Sequence, residues 1–143
     1  MLHKNAEYSK LFAIITGMKT LKDLIDEAKK AIPEISVDQA RDIYKKGAAV
    51  FLDVRESEEY EEGVIRGAIR VPRGVLELQI ERILPQRNRE IIVYCAGGTR
   101  SVLAAKSLKD MGYDAVVSMA GGFVVWEAAG YETEALPQRH AEG

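Results

Sequence analysis

The chain has 143 residues, of which 47% are hydrophobic, and it carries a formal net charge of −2 with a pI near 5.8. This length and composition predict one globular domain with a single core. The charge balance gives no support to a role in binding nucleic acid or a membrane surface. One cysteine excludes an internal disulfide, and the few His and Cys residues make a zinc site implausible. We expect a cytoplasmic protein.

Residues 1–33 predict two amphipathic helices, because apolar residues recur there at helical spacing. Thr20 is the candidate N-cap of the second helix, with Asp23 near its positive end, and Pro33 ends it. We interpret this segment as a helical extension, followed by a domain over residues 34–134 and a tail over residues 135–143. Its apolar stripes must pack against the domain or against another chain. We favour self-association, with a homo-oligomer as the expected product, or binding to a partner.

Short apolar runs and helical segments alternate after residue 33. Strands are predicted at residues 34–36, 49–54, 68–71, 91–95 and 115–119, and helices at residues 36–46, 56–62, 74–84, 101–111 and 122–129. Their short connections indicate an α/β domain whose parallel sheet is covered on both faces by helices. Ligands of such sheets bind beyond the carboxyl ends of the strands. Asp53 and Cys95 both fall at such ends.

The loop after the strand at residues 91–95 is the candidate site. Its sequence, CAGGTRS (residues 95–101), joins a buried strand to an amphipathic helix. Backbone N–H groups of such a loop and of a helix N-terminus favour anions, and this setting activates a cysteine as a thiolate. An inert buried cysteine is the alternative, but the glycines and the arginine favour a reactive one. The candidate site residues are the nucleophile Cys95 and, for binding an anionic substrate, Ala96, Gly97, Gly98, Thr99, Arg100 and Ser101.

Several arginines are candidates for roles near this loop. Arg100 either neutralises a bound oxyanion or pairs with a surface carboxylate. Because an arginine in the first turn of a helix opposes the helix dipole, an anionic partner is expected, and we favour a bound anion. Asp53 and Arg55 are interpreted as a structural ion pair near the site. Arg70 and Arg73 are candidates to add positive charge there.

Four segments together resemble a single-domain rhodanese over residues 35–131. They are FLDVRE (51–56), EEGVIRGAIRVP (61–72), VYCAGGTRS (93–101) and MAGGFVVWEAAGY (119–131). Val64 departs from the family's pattern, in which histidine is common at this position. The resemblance implies a five-stranded parallel sheet flanked by helices. It also implies sulfur transfer through a Cys95 persulfide, from a small anion such as thiosulfate to a thiol or cyanide acceptor, with no metal or organic cofactor.

Three other functions stay open. The phosphatases that activate cyclin-dependent kinases have a similar fold, but five residues separate their cysteine from their arginine and a histidine commonly precedes the cysteine. Here four residues separate Cys95 from Arg100, and Tyr94 precedes the cysteine. A sulfur-relay protein would share the chemistry and differ in its acceptor. Some rhodanese-like domains are regulatory binding modules without the cysteine, and the presence of Cys95 argues against that class.

Overall fold

Six α-helices and seven β-strands are found in residues 2–137, the part of the chain that the computed structural model describes. The helices are α1 (Leu2–Thr16), α2 (Leu21–Ala31), α3 (Val37–Lys46), α4 (Leu76–Ile83), α5 (Thr99–Asp110) and α6 (Gly122–Ala128). The strands are β1 (Glu34–Ile35), β2 (Val50–Asp53), β3 (Val64–Ile65), β4 (Ile69–Arg70), β5 (Ile91–Tyr94), β6 (Val116–Met119) and β7 (Thr133–Glu134). Two 3-10 helices span Ser57–Glu62 and Arg73–Val75. None of the helices described is long and apolar enough to cross a membrane.

Five strands form one parallel sheet in the order β1-β6-β5-β2-β4. The prediction of a five-stranded parallel sheet is therefore confirmed. The strand β5 is buried along its whole length, and its residues alternate between two core clusters. Ile91 and Val93 belong to the cluster that includes residues of α2, α4 and α5, whereas Ile92 and Tyr94 belong to the cluster with α3 and α6. Helices thus cover both faces of the sheet, as the sequence predicts.

The structure differs from the sequence prediction at several places, and the helix predicted at residues 56–62 is the 3-10 helix Ser57–Glu62. The strands β3 and β7 form a separate antiparallel pair that the sequence did not predict. The helix α5 begins at Thr99 rather than at residue 101, because the end of the candidate loop already has helical geometry. The predicted tail runs beyond the described residues from position 138 onwards.

The second predicted helix of the N-terminal segment packs on the domain. Thr20 caps α2 as predicted, since its side chain accepts from the N–H of Asp23 at 3.2 Å. Ala28 and Ile32 are 1% and 2% exposed and lie in the same core cluster as α5. The sequence left open whether this segment packs against the domain or against another chain, and α2 packs against the domain.

The first helix presents apolar side chains to the outside. Tyr8, Leu11 and Phe12 in α1 are 58%, 49% and 64% exposed. Their spacing puts them on one face of the helix. Self-association through residues 1–33 therefore stays a prediction, and the described part of α1 is the segment that offers an apolar surface for it.

Candidate functional site

Cys95 lies at the carboxyl edge of the parallel sheet, directly after β5, and is only 1% exposed. Three residues later Gly98 forms the N-cap of α5. Gly98 has a φ of +110°, a left-handed conformation that favours glycine. The chain therefore turns sharply from strand to helix, and the sulfur lies at the N-terminal end of α5.

Three polar groups contact the sulfur of Cys95. The backbone N–H of Gly98 donates to Sγ at 3.1 Å, and that of Ser101 donates to it at 3.4 Å. The thiol itself donates to Ser101 Oγ at 3.5 Å. Amide donors at a helix N-terminus are the groups that bind anions in proteins. The geometry therefore suits a sulfur that carries negative charge during a reaction.

The start of α6 at Gly122 explains how the loop keeps its shape. The N–H of Phe123 donates to the carbonyl of Cys95 at 2.8 Å, and the N–H of Val124 donates to that of Ala96 at 3.2 Å. A Cβ atom on Gly122 would lie 2.4 Å from the carbonyl oxygen of Ala96 and 2.6 Å from that of Cys95. Only glycine permits this close approach. The N-terminus of α6 thus holds the carbonyl groups of the loop, while amides of α5 contact the sulfur.

Arg100 is paired with a carboxylate of the same chain. Its Nη1 and Nη2 donate to Oε2 and Oε1 of Glu59 at 2.7 and 2.8 Å. These hydrogen bonds lower the pKa of Glu59 from 4.5 to about 2 against the opposing effect of its partial burial, and they raise the pKa of Arg100. Of the two partners that the sequence left open, the structure shows the carboxylate. Binding of an anionic substrate by Arg100 stays a prediction.

Asp53 and Arg55 form a buried ion pair, the arrangement that the sequence favoured. Arg55 Nη2 donates to Asp53 Oδ2 at 2.7 Å, and the two side chains are 1% and 0% exposed. Burial lowers the pKa of Arg55, but the hydrogen bonds and charge of Asp53 outweigh it and raise the pKa overall. Arg55 also donates to the carbonyls of Glu59 and Gly63 at 3.3 and 2.8 Å. The pair therefore holds the 3-10 helix that carries Glu59.

The other predicted site residues lie at the surface of the loop. Gly97 and Thr99 are exposed, and Ala96 is half-buried. The two arginines considered for the mouth of the site have other partners: Arg70 lies 5.7 Å from the ring centre of Tyr60, and Arg73 pairs with Glu77.

Two functional candidates were missed from the sequence. Glu59 lies 41 positions from Arg100, and a glutamate in a run of glutamates gives no signal of its partner. Ser118 is a fully buried serine whose hydroxyl donates to Ser101 Oγ at 2.9 Å. A polar residue inside the apolar run at residues 115–119 was the available signal.

A recess of about 210 Å³ lies beside the loop. Its lining residues are Ile25, Lys29, Glu34, Gly97, Gly98, Thr99, Ala120 and Gly121. A larger cavity of about 590 Å³ lies at the opposite, amino edge of the sheet, next to Ile91 and Val116. It is remote from Cys95, whereas the smaller recess is lined by three residues of the Cys95 loop. Among the residues that the structure describes, no group of acidic, His or Cys side chains is arranged to hold a metal ion.

Comparison with known proteins gives a consistent family. Residues 36–129 match the family described as rhodanese-like domain. The chain is 33% identical over 95 residues to the thiosulfate sulfurtransferase GlpE of Coxiella burnetii, a match that covers 66% of this chain and 87% of GlpE. It is 34% identical over 101 residues to YrkF of Bacillus subtilis, named as a candidate sulfur carrier protein. That match covers 70% of this chain and only 54% of YrkF.

Solved structures give the same fold. A protein from Rhodopseudomonas palustris, described as of unknown function and a possible tyrosine phosphatase, superposes with a TM-score of 0.77 at 35% identity, covering 82% of this chain and 96% of the other. A thiosulfate sulfurtransferase from Pseudomonas aeruginosa superposes with a TM-score of 0.68 at 31% identity. The latter match covers 79% of this chain but 22% of the Pseudomonas chain.

Proposed function

The chain belongs to the rhodanese-like family of sulfurtransferases, and on that premise we propose that it moves a sulfane sulfur through a persulfide on Cys95. The donor is thiosulfate or another small anionic sulfur compound, and the acceptor is a thiophile, a thiol in the cell or cyanide in an assay. The observation that supports this most directly is the pair of amide donors, from Gly98 and Ser101, on the sulfur of Cys95.

The first half-reaction loads the protein. The Cys95 thiolate attacks the outer sulfur of thiosulfate, and a new S–S bond forms to Sγ. The S–S bond of the donor breaks, and its electron pair leaves with sulfite. Backbone donors at the N-terminus of α5 stabilise the negative charge of the Cys95 thiolate and of the departing sulfite during this exchange.

The second half-reaction removes the sulfur from the Cys95 persulfide. The acceptor attacks the terminal sulfur, the S–S bond to Cys95 breaks, and its electron pair returns to Sγ as a thiolate. Cys95 is the one cysteine among the 143 residues. The acceptor is therefore another molecule rather than a second cysteine of this sequence. Two successive covalent steps of this kind give ping-pong kinetics.

Arg100 supplies positive charge for the anionic donor in this proposal. Its side chain is 37% exposed and is therefore partly accessible to solvent beside Glu59. A planar guanidinium offers five donors, and the pair with Glu59 engages two of its nitrogens. The remaining N–H groups are the ones we assign to the sulfonate end of thiosulfate.

A phosphatase is the second candidate, because the similar Rhodopseudomonas protein is described as a possible tyrosine phosphatase. The length of the loop weighs against it here. Four residues, rather than five, separate Cys95 from Arg100, which gives a tighter loop around the reacting group. A tight loop suits attack on sulfur better than enclosure of a phosphate.

Intact mass spectrometry of the purified protein tests the proposal. Incubation with thiosulfate is expected to add one sulfur, about 32 Da, and cyanide is expected to remove it with release of thiocyanate. Cys95→Ser is the matched control, since a hydroxyl replaces the thiol with little change in volume. This variant should gain no mass and show no sulfurtransferase activity, while its circular dichroism spectrum stays that of the wild type.

Three other results would point to a different reaction, acceptor or nucleophile. A wild-type protein that gains no sulfur but hydrolyses an aryl phosphate would favour the phosphatase. A persulfide that cyanide removes but small thiols do not would favour a protein acceptor, as in a sulfur relay. Sulfurtransferase activity in Cys95→Ser would overturn the assignment of the nucleophile.

A further inference from the structure

Ser118 extends the polar contacts of the reactive sulfur into the core. It lies in β6, is 0% exposed, and donates from its hydroxyl to Ser101 Oγ at 2.9 Å. Ser101 is also 0% exposed, and its Oγ accepts from the thiol of Cys95 at 3.5 Å. Sulfur and two hydroxyl groups therefore form a chain that ends inside the protein rather than at the solvent.

The fold itself gives no reason for a hydroxyl at this position. Ser118 pairs across the sheet with Val93 of β5, and Val116 lies two positions earlier on the same face of β6. Both are buried in the same apolar cluster. An alanine or a valine would meet no unsatisfied polar group there, whereas a buried hydroxyl is unfavourable unless it is hydrogen-bonded. The partner that Ser118 has, Ser101, is a contact of the sulfur.

The direction of the hydrogen bonds suits both protonation states of Cys95. In the thiol state, both the S–H and Ser118 donate to Ser101 Oγ. An ionised sulfur has no proton to donate. It can instead accept a hydrogen bond from the O–H of Ser101. Ser118 keeps donating to the oxygen of Ser101 in that state. Hydrogen bonds in such a chain polarise one another, which strengthens the donor at its end.

We propose that Ser118 is a positioning residue for the chemistry of Cys95. It holds and polarises the hydroxyl of Ser101 so that this hydroxyl donates to Sγ whenever the sulfur carries negative charge. Its role in turnover rests on the proposed sulfur transfer: negative charge returns to Sγ when the acceptor takes the outer sulfur and the electron pair of the broken S–S bond remains on Cys95. Ser118 touches neither substrate nor sulfur and acts through Ser101 alone.

The pH dependence of alkylation by iodoacetamide tests this without requiring sulfur transfer. Ser118→Ala is expected to move the midpoint of the alkylation rate upwards by roughly half to one pH unit, the effect of losing one hydrogen bond from the chain. In the persulfide-loaded protein, the rate of discharge by cyanide is expected to fall by roughly two- to tenfold. Thermal unfolding of the same samples establishes that the variant is folded.

A matched pair of variants separates the hydroxyl from its volume. Ser118→Thr and Ser118→Val have nearly the same shape, and only the threonine keeps the donor. The threonine variant should retain the wild-type midpoint, and the valine variant should behave as Ser118→Ala. Ser107→Ala is the control on the same helix as Ser101, because Ser107 contacts Arg73 and lies away from the sulfur. It should leave the midpoint unchanged.

A double-mutant cycle tests the route of action. Ser118→Ala introduced into Ser101→Ala is expected to cause no further change, because the intermediate hydroxyl is already absent. An unchanged midpoint in Ser118→Ala, equal midpoints for the threonine and valine variants, or a full effect in the Ser101→Ala background would each overturn the proposal. If the wild type forms no persulfide, the proposed function fails, and the alkylation midpoints still decide the role of Ser118.

Discussion

Arg100, at the end of the Cys95 loop, is bound at two nitrogens by the carboxylate of Glu59, which belongs to the 3-10 helix Ser57–Glu62. The same carboxylate accepts the backbone N–H of Glu56 at 2.8 Å. One side chain therefore closes the first turn of the 3-10 helix and fixes the arginine beside the candidate site. The orientation of Arg100 depends on a segment far from it in sequence.

The pair between Glu59 and Arg100 should make the free energy of unfolding depend on pH in the acidic range. The pKa of Glu59 is depressed to about 2 in the folded state, so its contribution to stability is present above about pH 4.5 and is lost as the pH falls towards 2. Urea unfolding at a series of pH values should show a smaller loss on acidification for Glu59→Gln than for the wild type. Parallel curves for the two proteins would mean that solvent screens the pair completely.

Removal of the loop arginine should affect the donor more than the fold. A charge-assisted hydrogen bond to an anion contributes about 1.5–3 kcal/mol, so Arg100→Ala should lower kcat/KM for thiosulfate by roughly 10- to 150-fold. Arg87→Ala is the control, since Arg87 pairs with Glu81 and lies away from the loop. Steady-state kinetics with both variants measure the difference. Equal values of kcat/KM in Arg100→Ala and wild type would assign Arg100 a purely structural role.

Glycine 122 should tolerate no side chain. The Cβ of Gly122→Ala would approach two carbonyl oxygens of the loop to within 2.6 Å, so we expect a loss of roughly 3 kcal/mol or more in unfolding free energy. Gly130→Ala is the matched control, because Gly130 also has a positive φ, of 75°, but open space around it. It should lose only about 1 kcal/mol. Denaturant unfolding compares them, and similar losses would show that the loop moves aside.

Two truncations should distinguish the contributions of α1 and α2 to the stability of the protein. Deletion of residues 1–33 removes Ile32 from the core, and burial of one isoleucine side chain contributes about 1.5–3 kcal/mol. Deletion of residues 1–17 leaves α2 and its cap in place. We therefore expect thermal stability to fall in the longer deletion and to be retained in the shorter one.

Light scattering of the same proteins tests self-association. If the apolar face of α1 joins copies of the chain, the deletion of residues 1–17 should lower the number of chains per particle, which is the measured molar mass divided by the mass of one chain. The same number of chains per particle in the full-length protein and in both truncations would contradict a role of residues 1–33 in assembly.

Local signals in the sequence were enough for most of the fold. The helix predicted at residues 36–46 has such signals at both ends, since Ser36 and Gln39 form the capping box of α3 and Gly47 ends it with a φ of 70°. The buried strands β2 and β5 follow from their continuous apolar runs. The pair β3 and β7 could not be found in this way. Each has two residues, which is too short for an alternating pattern, and they pair across a separation of about 70 positions.

Only part of the candidate site could likewise be predicted from the sequence. The position of Cys95 at the end of a strand and before a helix follows from residues close to it in sequence. The partner of Arg100 does not, because contact between Glu59 and the loop arises only when β2 and β5 lie side by side. The contact of Ser118 with Ser101 likewise depends on the pairing of β5 with β6.

The buried guanidinium of Arg55 also bears on local opening of the chain. The 3-10 helix Ser57–Glu62 is largely exposed and rich in glutamate, features of a segment that would fray readily. Its carbonyls at Glu59 and, just beyond its end, at Gly63 are bonded to Arg55, and Tyr60 donates to the carbonyl of Arg55 at 3.0 Å. Opening this helix leaves donors of a buried cation unpaired, which is strongly unfavourable. The hydrogen-bonded amides of Glu59 and Gly63 should therefore exchange with solvent more slowly than the exposure of this segment suggests.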